Sequence, residues 1–215
     1  MTRVPSHPSR GHRARLVTAG LAAAMALTFG AGTAFADVDS TDRVIDGKQR
    51  TISAIQADTT IRAVPPLDRN PLTRQWFHDV TAKFTVEGDG AEEFAGTIKI
   101  GYLVGFPATV DGRIKFGYSS PRVGIETDNG IPGPKLDVDL IPTVTGEIET
   151  GFGPGVRQIE AVSGRITGAE GSVRLTNSIG TVTGVIGTAT VQPYVTVVSD
   201  TGDSVTTLGK PYEVN

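Results

Sequence analysis

Residues 136–149, LDVDLIPTVTGEIE, alternate between apolar and polar side chains almost without a break. Leu136, Val138, Leu140, Pro142, Val144 and Ile148 share one face. Asp137, Asp139, Thr143, Thr145, Glu147 and Glu149 share the other. A strand repeats every two residues, so this ribbon is greasy on one side and acidic on the other. A strand standing in a membrane with water behind it has that pattern.

A second alternating arm precedes it. Ile114, Phe116 and Tyr118 face one way, and Arg113, Lys115 and Gly117 the other. Past Pro121 the phase shifts, and Val123 and Ile125 continue the apolar set. A proline inside a strand implies a bulge or an edge. A turn rich in Gly, Pro and Asn near Asp128-Asn129-Gly130 joins the arms. An arm of about 14 residues spans roughly 45 Å at ~3.3 Å per residue. A membrane strand needs only about 9–11 residues. The block 107–152 therefore reads as a hairpin that can cross a membrane and leave its base outside.

The first 36 residues read as an address. Arg3, Arg10, Arg13 and Arg15 form a basic start, an apolar stretch runs from Leu16 to Phe29, and Ala34-Phe35-Ala36 is a cleavage signal. The chain that remains starts at Asp37 and has one domain's length. It carries 16 basic and 23 acidic side chains, a net charge of −7, which argues against a nucleic-acid partner. There is no cysteine, so neither disulfides nor thiol chemistry enter. After residue 36 no run of apolar residues is long enough for a membrane helix.

The rest is glycine-punctuated and rich in Val, Ile and Thr, which predicts an all-β chain. Strands are expected at Thr51–Ile55, Ala82–Val86, Gly96–Phe106, Arg113–Ser120, Leu136–Glu149, Glu160–Thr167, Gly171–Thr176, Gly180–Thr188 and Tyr194–Ser199. A short helix is expected around Thr73–His78. The expected division is a β-sandwich made from 37–106 and 153–215, with the hairpin 107–152 inserted. Two strands cannot close a barrel. Left open in lipid, their unpaired backbone groups would cost on the order of tens of kcal/mol. Identical copies in a ring remove that cost with one repeated interface.

Four segments carry a resemblance: PLDRNPLTRQWFH (66–78), GAEEFAGTIKIGYLVGFP (90–107), GAEGSVRLTNSIGTVTG (168–184) and SDTGDSVTTLGKPYEVN (199–215). In this order they resemble the MspA-type porin family of mycobacteria and related actinomycetes. The resemblance implies a homo-octamer in which each subunit gives one hairpin to a sixteen-stranded transmembrane barrel and one β-sandwich to a rim. It implies residence in the mycolic-acid outer membrane, contact with its lipids, and passive diffusion of small hydrophilic solutes and ions. The family's constriction segment, Ile-Asp-Asp-Gly-Asp, matches Ile125-Glu126-Thr127-Asp128-Asn129-Gly130. The resemblance thus implies Glu126 as the first constriction acid, with Thr127 where the family has a second and Asp128 as its partial replacement. Glu149 matches an acidic position on the return strand. Glu170 is the retained rim acid, while Arg165 occupies a position where the family carries an acid.

Asp137, Asp139, Glu147 and Glu149 would line the lumen together with Arg113 and Lys115, with Lys135 near the tip. A ring multiplies each acid in a confined passage and raises the local cation concentration, so a cation preference is expected. Catalysis is not. Asp200-Thr201-Gly202 matches an aspartic-protease core, but that chemistry needs a second such loop, and none follows residue 36. The motif reads as a polar turn. His78 is the only histidine after residue 36, too few for a histidine metal site or a nucleophile–base pair. It reads as structural or as a surface residue, and Trp76 as core or subunit-interface packing ahead of a membrane-interface anchor. No cofactor is implied. The competing reading is a secreted β-sandwich that binds or adheres without an open pore.

Overall fold

The computed structural model describes residues 37–119, 122–126 and 143–215, giving only the backbone at 122–126 and 143–144. Among the described residues there is no helix. In chain order the longer strands are β1 (Val38–Ile45), β2 (Thr51–Val64), β3 (Thr73–Glu87), β4 (Ala95–Phe106), β6 (Arg113–Ser119), β7 (Arg122–Glu126), β8 (Thr143–Glu149), β9 (Gly155–Thr167), β10 (Glu170–Thr183), β12 (Ala189–Ser199) and β13 (Ser204–Leu208). The short strands are β5 (Ala108–Thr109), β11 (Val185–Ile186) and β14 (Tyr212–Val214).

Two large antiparallel sheets face one another, and β5 and β11 pair as a separate two-stranded sheet. The larger runs β1-β2-β3-β10-β6-β8, with β7 also on β10. The smaller runs β13-β12-β4-β9, with β14 on β12. Their inner faces follow the strand period of two. Trp76, Val80, Ala82, Phe84 and Val86 of β3 meet Ile98, Ile100, Tyr102, Val104 and Phe106 of β4 in one core.

The segment Thr73–His78, expected as a short helix, is the first half of β3. It is an interior strand, paired with β2 on one edge and β10 on the other. Trp76 and His78 are both essentially buried (1% and 0% exposed), so they fall on one face at strand spacing. Tertiary pairing on both edges decides this stretch. The expected strands 171–176 and 180–188 are largely one element. β10 is continuous through an irregularity between Leu175 and Ser178. There Asn177 takes a left-handed conformation (φ 52°), and its N–H donates to Asp79 Oδ1 at 2.6 Å. Asparagine tolerates that region better than most residues.

Gly180 faces Trp76 across the β3–β10 ladder. A Cβ there would collide with the indole at Cε2 and Cζ2. Gly180→Ala should destabilise the chain by about 2 kcal/mol, the scale of overpacking a closed core. An unchanged unfolding midpoint would show that the indole has room to move.

Candidate functional site: the two-faced ribbon of β6 and β8

β6 and β8 pair with Arg113 opposite Glu149, Lys115 opposite Glu147 and Gly117 opposite Thr145. The alternation read from the sequence therefore puts both cations and both acids on one face. Arg113 Nη1 donates to Glu147 Oε1 at 3.2 Å and Nη2 to Glu149 Oε1 at 3.4 Å. Lys115 Nζ lies 3.7 Å from Glu147 Oε2. All four side chains are exposed, so each pair adds at most about 1 kcal/mol to stability. Their electrostatic effect is larger than their energetic one, because two positive and two negative charges cancel along this stretch.

The opposite face is apolar. Ile114 and Tyr118 are buried, and Phe116 and Ile148 pack against the core. Phe116 lies over Gly146, its cross-strand neighbour. Tyr118 donates from its hydroxyl to Ser178 Oγ at 3.1 Å, and its ring lies 6.3 Å from that of Tyr102. Along 113–119 the apolar face thus meets the sandwich interior.

The first arm is also tied to the larger sheet. β6 pairs with β10 over Lys115–Ser119, and β7 pairs with β10 over Arg122–Glu126. Glu126 falls opposite Ser172. Glu170 begins β10 opposite Thr85 and is exposed. Glu126 and Glu170 are therefore brought to the same end of the sheet. Asp128, Lys135, Asp137 and Asp139 lie outside the described residues, as does the side chain of Glu126.

The remaining sequence candidates fall into structural places. Asp200-Thr201-Gly202 is a turn between β12 and β13. His78 Nδ1 is hydrogen-bonded to the Tyr102 hydroxyl at 3.0 Å, and Trp76 stacks edge-on to Tyr102 with centroids 5.4 Å apart. Arg165 is exposed on β9.

Sequence reasoning missed one cluster. Arg50 is buried, with Nε and Nη2 donating to Asp46 Oδ2 at 2.8 and 2.6 Å and Nη2 also to Asp200 Oδ1 at 2.9 Å. Its guanidinium lies 5.1 Å from the centroid of the Phe94 ring. The four-residue spacing of Asp46 and Arg50 across a tight turn was the available signal.

The MspA family model matches residues 46–213, which hold every strand from β2 to β13, the ribbon and the Arg50 cluster. The chain belongs to the MspA family. It is 40% identical over 207 residues to Porin MspA of Mycolicibacterium smegmatis, covering 94% of this chain and 98% of that protein. Porin MspC of the same organism is 39% identical over 206 residues, covering 93% and 95%. Porin MspD is 41% identical over 184 residues, covering 83% and 88%. The likeness to these MspA-family proteins runs through the ribbon as well as the sandwich.

Proposed function

We propose that this chain is a subunit of an outer-membrane porin that passes small hydrophilic solutes and ions by diffusion. The observation that carries the proposal is its match, along nearly its whole length, to proteins named as porins. The charged, solvent-exposed face of the β6–β8 ribbon fits a water-filled lumen. Residues 1–36 serve as the export signal, 37–106 and 153–215 form the rim, and 107–152 supplies the hairpin. Eight copies give a sixteen-stranded barrel in the mycolic-acid layer. No chemical step is needed, because the lumen is water and the side chains set its field.

The ion ladder bears on selectivity. Arg113 and Lys115 are offset by Glu147 and Glu149, so the net lumen charge comes from elsewhere on the hairpin. Glu126, Asp128, Asp137 and Asp139 give it a negative sign, and the pore prefers cations.

In a planar bilayer with a salt gradient, the protein should give stepwise conductance and a reversal potential of cationic sign. Glu126→Asn with Asp128→Asn should weaken the preference more than Glu170→Gln at the rim. Arg113→Gln with Lys115→Gln should strengthen it by unmasking two acids per subunit. An anion-selective pore would overturn the charge assignment. A soluble monomer without conductance would favour the secreted binding protein instead.

A further inference from the structure

The charged face of the ribbon does not stop at the ribbon. β6 pairs with β10, setting Lys115 opposite Thr183 and Gly117 opposite Thr181, and β10 pairs in turn with β3. Cross-strand partners project from the same face of a sheet. The other face is the core side, where Ile114, Tyr118, Ser178 and Val182 are buried. The outer face of the larger sheet is therefore one surface with the charged face of the ribbon.

Two irregularities keep that surface continuous. The apolar phase of the first arm shifts past Pro121, and β10 is irregular between Leu175 and Ser178. They lie opposite one another, because Ser119 pairs with Ile179 and Arg122 with Thr176. Beyond them Val123 pairs with Leu175 and Ile125 with Val173, and both β10 partners belong to the core. Gly124, Glu126, Ser172 and Arg174 consequently stand on the outer side.

Arg174 is exposed there. It pairs with Gly124, two residues from Glu126 along the neighbouring strand, a diagonal that long side chains span. On the other side of β10, Lys83 pairs with Ser172, which is also the partner of Glu126. Glu170 begins the same strand opposite Thr85. Lys83 and Arg174 thus stand among Glu126 and Glu170 on one face.

We propose that Arg174 is a selectivity-determining residue of the channel, standing on the lumen wall beside Glu126 and opposing its charge. This rests on the porin reading above and adds to it a cation that the hairpin does not carry. In a confined, water-filled passage the sum of fixed charges on the wall sets the ion preference. Glu126 enters that sum with Arg174 at its side, so its pull on cations is only what Arg174 leaves uncompensated. The outer face of the smaller sheet, which carries exposed Thr206 between buried Val205 and Thr207, lies beyond the core and has no part in it.

Reversal potentials in a salt gradient test the assignment. Arg174→Gln should move the reversal potential further in the cationic direction, and Arg174→Lys should leave it where it was. Glu126→Gln should move it the other way, and adding Arg174→Gln should bring it back towards that of the unsubstituted protein. The chain has no cysteine, so an introduced thiol is the sole target of a thiol reagent. In open channels of Arg174→Cys, a cationic methanethiosulfonate should lower the cation preference and an anionic one should raise it. In channels of Thr206→Cys neither reagent should change it. A reversal potential unchanged in Arg174→Gln, or the same response of Arg174→Cys to both reagents, would overturn the assignment and leave the porin reading intact. An unsubstituted protein that gives no conductance would instead remove the reading on which it rests.

Discussion

Replacing Arg50 with leucine should lower the stability of the chain by about 3 kcal/mol, the lower end of the range for breaking a buried ion pair. The reason lies in what is left behind. Asp46 is 2% exposed, and its Oδ1 already accepts the backbone N–H groups of Lys48 and Arg50, each at 2.9 Å. Burial alone would raise its pKa. The bonds from the Arg50 side chain and the two backbone amides outweigh burial and hold it below the ordinary carboxylate value. Without the guanidinium the carboxylate stays dehydrated with half its bonds lost. The lower end of the range applies because Asp200, the third member, is 34% exposed and admits water to the cluster. Arg50→Leu combined with Asp46→Asn should recover part of the loss, because the amide oxygen still accepts both backbone bonds while the buried charge is gone. Guanidinium unfolding followed through Trp76, the sole tryptophan, measures both. A single variant as stable as the parent would mean that the cluster is merely decorative.

Lowering the pH from 6.5 to 4 should remove about 3 kcal/mol of stability through His78 alone, at ~1.36 kcal/mol per pH unit. Its imidazole is fully buried, and that burial pushes its pKa down to about 4, with the Asp79 charge opposing only in part. The unfolded chain takes up the proton near pH 6.5, whereas the folded chain resists until about 4. Between those values the unfolded state binds more protons, so stability falls with acid and levels off below 4. Asp46 and Asp200 act in a different window. Both are held below the ordinary aspartate value of 3.8, so their contribution persists above that value and is lost only in stronger acid. His78→Gln should therefore flatten the curve from 6.5 to 4 and leave the steeper loss at lower pH. Parallel curves for the two proteins would exclude His78 as the source.

How much of this was legible beforehand differs from element to element. The parity of Arg113, Lys115, Glu147 and Glu149 was readable, because alternation is a local property of the chain. Their mutual neutralisation was not, because it depends on the register that sets Arg113 against Glu149. Trp76 is buried in the core, one of the two places expected for it, and His78 is buried beside it, yet the segment holding them was expected to be helical. Its strand form comes from two neighbours distant in sequence. β1, with the sequence VDSTDRVI, offers no continuous apolar face. An edge strand can be that polar, and only pairing with β2 defines it. Arg50 drew no reading from the sequence; its spacing from Asp46 was visible, but its bond to Asp200, 150 residues on, depends on the tertiary fold.

The bonding of β7 to β10 has a consequence for how the chain meets other chains. A peptide group engaged along one ladder is unavailable to another. In the single chain the first arm has its outer margin satisfied internally at Arg122–Glu126, so a neighbour that takes over that margin must first displace β10. Along this margin the chain is thereby protected from the edge-to-edge aggregation that open strands invite.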